Sequence, residues 1–180
     1  MVAVPHTRPE KRALGVACGA HALHDGYSDA LVVLLPLWQA EFGIGYAEIG
    51  LLRSLYSGAM AAFQVPAAWL AARWGVAPVL AAGTLVAGGS FALAALSGGD
   101  VALAAALVVG GLGAGGQHPL AAAIVAEAHA GPKSRAALGT YNFAGDVGKM
   151  ALPAVVALVV AFAAWRPAAW LLAALGVAAA

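Results

Sequence analysis

Six apolar stretches follow one another along the chain, at about residues 13–38, 46–71, 78–97, 101–128, 136–161 and 165–180, with only short connectors between them. A membrane-crossing helix takes about 20 mostly apolar residues; the first five stretches reach that length and the last is shorter. Strands of a membrane barrel would alternate apolar and polar side chains over about ten residues, and Ala102 to Val109 does not alternate. Turn chemistry separates the stretches, as in Glu41-Phe42-Gly43-Ile44-Gly45, Gly98-Gly99-Asp100 and Gly131-Pro132-Lys133-Ser134. Only 9% of the 180 residues are charged and 63% are hydrophobic, against roughly 25% charged in a soluble domain. A water-exposed surface cannot be built from this chain, and disorder needs the opposite composition. The expected fold is therefore an all-α membrane protein, one bundle of six transmembrane helices over residues 13–180.

Residues 1–12 are polar and contain proline. The apolar run after them is too long for a signal peptide and lacks its small-residue cleavage pattern, so they read as a cytoplasmic tail. Basic residues stay on the cytoplasmic side. With the N-terminus inside, that side receives Arg8, Lys11, Arg12, Arg73, Lys133 and Arg135, and the other side only Arg166. Six spans then return the C-terminus to the cytoplasm. The net charge of +1 is scattered rather than gathered in a stripe, which gives no footprint for nucleic acid. Cys18 is the only cysteine, so neither an intrachain disulfide nor a cysteine metal cluster is available.

Glycine is abundant, notably Gly83, Gly88 and Gly89 in the third stretch and Gly110, Gly111, Gly113, Gly115 and Gly116 in the fourth. In lipid, helices associate by close backbone approach, which small residues permit. Gly111 to Gly116 also satisfies the dinucleotide fingerprint G-x-G-x-x-G, but the soluble strand-turn-helix setting and the acidic residue about 20 positions on are missing.

Ionisable residues inside the stretches carry the functional signal, because a charge near the bilayer centre costs about 2.5–3.5 kcal/mol even on lenient scales. They are Asp25 and Asp29 in the first stretch, Arg53 in the second, and Asp146 and Lys149 in the fifth, joined by His21, His24 and His118. Helical spacing gathers them on shared faces: His21, Asp25, Ser28 and Asp29; Arg53, Tyr56, Ser57, Met60 and Gln64; Asn142, Asp146, Lys149 and Pro153. At 1.5 Å per residue, Asp25, Gln117, His118, Asp146 and Lys149 fall near one depth, with Asp29 and Arg53 further out. An Asp29–Arg53 ion pair is expected, and a separate site around Asp25, His118, Asp146 and Lys149.

Three interior carboxylates face two permanent cations, which leaves Asp25 as the expected unpaired one. A buried carboxylate without a cation takes up a proton readily, so Asp25 is the candidate for proton coupling, with His21 or His24 as relay. Arg53, Gln117 and Lys149 are candidates to hold an anionic group of a substrate, and Tyr56, His118, Asn142 and Asp146 complete that candidate site. His21, His24, Asp25 and His118 also fall at ligand-like spacing, but the Glu of an H-E-x-x-H site is absent; no metal, cofactor or enzymatic activity is expected. His118 reads alternatively as a packing residue where Pro119 bends its helix.

Pro66-Ala67-Ala68-Trp69-Leu70-Ala71-Ala72-Arg73-Trp74-Gly75 resembles the major facilitator superfamily signature G-x-L-A-D-R-x-G-R-R: Leu70, Ala71, Arg73 and Gly75 match, while Ala68, Ala72 and Val76-Ala77 depart from it. The runs His24 to Asp29, Leu55 to Met60, Gln117-His118-Pro119 and Thr140 to Asp146 are similar to bacterial members related to fosmidomycin-resistance exporters. The resemblance implies a six-helix repeat with its first, second, fourth and fifth helices around a central cavity, and a gating loop at Arg73 and Gly75. Superfamily members have two such repeats, and this chain holds one. The expectation is a half-size transporter in a bacterial inner membrane, forming a homodimer and exchanging protons for a small organic solute by alternating access. The alternative is a non-transporting membrane subunit, or an N-terminal half that needs a separately encoded partner chain.

Overall fold

The computed structural model describes residues 8–129 and 131–180. They form seven helical segments: α1 (Arg8–Phe42), α2 (Tyr46–Trp74), α3 (Val76–Ala95), α4 (Asp100–Ala114), α5 (Gln117–Ala128), α6 (Pro132–Phe162) and α7 (Trp165–Ala179). Among the described residues no strand occurs. Residues 1–7 of the expected tail lie outside the described residues, whereas Arg8 to Arg12 belong to α1. Among the described residues, three helices are long and apolar enough to cross a membrane: Val76–Ala95, the α4–α5 unit Asp100–Ala128, and Lys133–Phe162. Trp165–Ala179 is apolar but shorter.

The fourth stretch is one helix broken in the middle, where continuous helix over 101–128 was expected. Pro119 has no N–H to offer the carbonyl four residues back, at Gly115. The chain answers with a tightened turn, Gly115 N–H donating to Leu112 O at 3.3 Å, and resumes as helix with Leu120 N–H on Gly116 O at 3.2 Å. Between α2 and α3 a single residue reverses the chain: Gly75 has φ +91° and its N–H caps Ala71 O at 2.9 Å. That conformation is open only to glycine at low cost.

The helices come together where side chains are smallest. α1 lies along α6, with a Cβ at Gly148 colliding with the Ala22 carbonyl and one at Gly26 only 2.7 Å from Leu152 Cβ. α4 is seated between α2 and α3: Gly111 abuts the Tyr56 carbonyl, Gly115 faces Met60 O, and Gly113 lies on the backbone of Ala87 and Gly83. The glycine run of the fourth stretch is thus a packing surface on two sides. The main apolar core, with Tyr27, Leu31, Leu34, Trp38, Phe91, Leu103 and Leu172 buried, joins α1, α3, α4 and α7. Tyr27 crosses it to donate its hydroxyl to Leu172 O at 2.8 Å. At one end of the bundle Glu10 of α1 meets Lys133 of α6 at 3.8 Å; at the other, Glu41 of α1 meets Arg166 of α7 at 2.6 Å.

Candidate functional site

The charged residues that the apolar composition makes costly are gathered on one face of this bundle. α1 places His21 and Asp25 one turn apart, with only 6% and 5% of their surfaces exposed. Three groups converge on the Asp25 carboxylate: His21 Nε2 lies 3.3 Å from Oδ2, Lys149 Nζ 3.2 Å from the same Oδ2, and His118 Nε2 3.3 Å from Oδ1. Lys149 also donates to Asp146 Oδ1 at 3.2 Å. One ammonium therefore bridges a buried carboxylate on α1 and an exposed one on α6.

The protonation pattern of His21 follows from its neighbours. Its Nδ1 lies 2.9 Å from the Tyr141 carbonyl oxygen; a carbonyl only accepts, so Nδ1 carries the proton. The Tyr141 ring stacks on the imidazole at 4.0 Å and 13°, and His118 meets it edge-on at 5.0 Å and 88°. Gly145 makes room for this set, since a Cβ there would lie 2.6 Å from Asp25 Oδ2 and 2.7 Å from His21 Cε1.

α2 contributes the second cation. Arg53 donates from Nη1 to the Ser28 carbonyl at 2.7 Å and its guanidinium stands 5.8 Å from the centre of the Tyr56 ring. The Tyr56 hydroxyl pairs with Ser28 Oγ at 3.2 Å. Both groups open into a shared cavity of about 480 Å³, whose lining also includes Ser57, Met60, Asn142 and Asp146. A polar cleft with Arg53 on α2 and Lys149 on α6 can receive a small anion.

The structure brings together Asp25, His21, His118, Asp146 and Lys149, and sets Arg53, Tyr56 and Asn142 on the same cavity. It departs from the sequence expectations in four places. Asp25 is not the unpaired carboxylate, because the long Lys149 side chain reaches both it and Asp146. Among the described residues Arg53 makes no ion pair with Asp29; its guanidinium is taken by the Ser28 carbonyl one residue earlier. His24 is no relay to Asp25: its Nε2 lies 3.1 Å from Thr84 Oγ1 on α3. Gln117 is 1% exposed and ties α5 to α3, donating to Leu80 O at 3.0 Å and Thr84 Oγ1 at 2.9 Å, away from the polar cavity. Arg73 is exposed beside Gly75 at the α2–α3 turn.

Sequence reasoning missed Tyr141, whose carbonyl and ring fix His21, and the Gly145-x-x-Gly148 pair that lets α6 approach α1. The spacing of that pair was visible, as was the placement of Tyr141 one turn before Gly145. The ligand atoms of His21, Asp25 and His118 lie within 4.8 Å of one another, a spacing that a metal ion can use. The Lys149 ammonium on the same carboxylate opposes a second cation there.

Apolar helices around a cleft with buried, partnered charges define a helical membrane protein. The Major Facilitator Superfamily pattern matches residues 17–180, and the chain belongs to that superfamily. It is 31% identical over 158 residues to the "Probable sulfoacetate transporter SauU" of Cupriavidus necator, covering 86% of this chain and 36% of that protein. Solved structures share the fold. A peptide transporter POT in complex with sulfate matches with TM-score 0.80 and 19% identity, over 94% of this chain and 37% of that one. A POT family transporter in complex with 5-aminolevulinic acid matches with TM-score 0.79 and 20% identity, over 93% and 37%. The chain spans about a third of the length of these relatives.

Proposed function

We propose that the chain is one six-span repeat of a proton-coupled transporter for a small organic anion, with both termini cytoplasmic, in a bacterial inner membrane. The carrying observation is the Asp25–Lys149–Asp146 bridge opening into a cavity that also receives Arg53. Lys149 and Arg53 attract the anionic group, Tyr56, His118 and Asn142 offer neutral hydrogen bonds, and Asp25 with His21 holds the proton. The likeness to a probable sulfoacetate transporter supports a small sulfonate or carboxylate as solute.

Superfamily members complete the cavity with a second repeat, which supplies its remaining wall. A second copy of this chain, related by a two-fold axis along the membrane normal, supplies that wall in the reading we favour; a separately encoded half is the other source. Alternating access then follows from rocking one repeat against the other. Proteoliposomes loaded with the purified chain should accumulate sulfoacetate when a pH gradient is imposed, and Asp25→Asn should reduce the gradient-driven component at least tenfold. Full uptake by Asp25→Asn removes Asp25 from coupling. Background flux in every preparation, with assembly altered by the same substitution, favours a non-transporting subunit.

A further inference from the structure

His21 and Asp25 of α1 and His118 of α5 meet with their ligand atoms within 4.8 Å of one another. His21 Nε2 lies 3.3 Å from Asp25 Oδ2, and His118 Nε2 lies 3.3 Å from Oδ1. In the neutral His21 ring the first of these contacts is not a hydrogen bond. Nδ1 carries the proton toward the Tyr141 carbonyl, so Nε2 turns a lone pair toward an oxygen that has only lone pairs to offer. Two electron-rich atoms held face to face attract a positive centre to the space beside them. An imidazole whose Nδ1–H is fixed by a backbone carbonyl, with Nε2 left to donate, is also the form in which histidine ligates a metal.

We propose that His21 Nε2, the Asp25 carboxylate and His118 Nε2 form a three-ligand site for a divalent ion of the zinc type, its remaining coordination position facing the polar cavity. Distances carry it. Zn–N bonds of about 2.0–2.1 Å and Zn–O bonds of about 2.0–2.2 Å set neighbouring ligands of a tetrahedral ion about 3.3–3.5 Å apart. Both nitrogen-to-oxygen separations already have that length. Two imidazoles and a carboxylate suit zinc, cobalt or nickel, whereas calcium and magnesium take shells of oxygen. All three residues line the cavity, so its water or an anion within it completes the coordination.

The surroundings hold these ligands in place. The Tyr141 ring stacks on His21 at 4.0 Å, His21 and Asp25 are buried one turn apart on α1, and Gly145 leaves open the space beside Oδ2 and His21 Cε1 that a Cβ would fill. His118, with 42% of its side chain exposed, gives the ion access from the cavity. His24 is outside the set because its Nε2 is taken by Thr84. The Lys149 ammonium, 3.2 Å from Oδ2, opposes the ion, but it stands equally 3.2 Å from Asp146 Oδ1 on its own helix and keeps that partner when an ion occupies Asp25. Lys149 therefore weakens the site without closing it. The absent Glu of an H-E-x-x-H site removes a hydrolytic base and not a ligand.

The test uses the full chain, free of any histidine tag, in lipid nanodiscs, with zinc or cobalt as the probe and no solute, so its outcome is independent of the transport reading above. Calorimetry should show about one zinc per chain, and cobalt should give the strong visible absorption of a four-coordinate ion. His118→Gln and Asp25→Asn should each weaken zinc binding about a hundredfold or more, since loss of an outer-shell partner alone costs about 10–100-fold. His24→Gln should leave it within about twofold, as a residue outside the ligand set does. Lys149→Gln, which removes the opposing ammonium, should tighten it about tenfold. Zinc X-ray absorption on the wild type reads the shell without any substitution, and two imidazoles among donors at about 2.0–2.2 Å are expected. Absence of saturable binding, a shell with fewer than two imidazoles, or unchanged affinity in folded His118→Gln overturns the site. Weaker binding in folded Lys149→Gln overturns the placement of the ion on Asp25.

Discussion

At the scale of single residues, the buried polar groups divide by what they touch. Asp25, Lys149 and Arg53 have partners that face the cavity, whereas His24 and Gln117 converge on Thr84: Thr84 Oγ1 donates to Leu80 O and so must accept from both Gln117 Nε2 and His24 Nε2. That chain of donors makes Gln117 a tie between α3 and α5. Removing it deletes two buried hydrogen bonds, each worth about 1 kcal/mol. Gln117→Ala should therefore lower the thermal unfolding midpoint in detergent by several degrees and leave sulfoacetate affinity within about twofold of the wild type. A tenfold loss of affinity at unchanged stability would return Gln117 to the solute site. Sequence spacing put Gln117 and His118 at the right depth but could not say which way each points. Adjacent residues on a helix face about 100° apart, and only the break at Gly115–Gly116 decides that His118 takes the cavity.

At the scale of elements, the stretches and their order were legible because apolar length and turn residues are local properties. Where charges meet was not, because a lysine's reach across two helices depends on how closely those helices pack. Gly148 and Gly26 set that distance for α1 and α6; without it Lys149 would serve Asp146 alone and Asp25 would stand unpaired, as the residue balance implied. A second inter-element tie lies beyond the apolar part of α1. Glu41 accepts from the Trp165 indole N–H and from Arg166 Nη1, and Arg166 also donates to the carbonyls of Ala95 and Ser97, so α1, the α3–α4 connection and α7 meet at one carboxylate. The hydrogen bond from Trp165, followed by that from Arg166 and its charge, holds the Glu41 carboxyl below its ordinary value of 4.5. A carboxyl lowered in the folded state adds stability that is complete above its unfolded value and is lost as pH falls through the folded one. Thermal unfolding between pH 7 and 3 should accordingly show a loss below about pH 4.5 in the wild type that is smaller in Glu41→Gln. Identical pH profiles for the two proteins would show that the clamp contributes nothing to stability.

At the scale of the whole molecule, the open face is the feature that a lipid environment cannot leave as it is. Asp146 and Lys149 are 68% and 45% exposed at the side chain, on the same helix as Phe143 and Met150 at 68% and 76%. Polar and charged groups within a membrane almost always face the interior of a bundle or a water-filled cavity, and each one turned to hydrocarbon costs about 2.5–3.5 kcal/mol. Two such groups on one helix, with Arg53 on the same cleft, supply several kcal/mol of drive toward covering that face. A second repeat does so while keeping the cleft wet, and in the homodimer proposed above that repeat is a second copy of this chain related by a two-fold axis. The detergent-corrected mass should then be about twice the 17.8 kDa of one chain. Cysteines introduced at Phe143 or Met150, in a Cys18→Ser background, should react with a membrane-impermeant thiol reagent more slowly in the dimer than after dissociation. Replacing Asp146 and Lys149 together by leucine removes the charges that need covering and should shift the mass distribution toward monomer. A wild-type chain that is monomeric at every detergent concentration would exclude the homodimer, and recovery of a stable one-to-one complex with a separately encoded half would identify the other wall of the cavity.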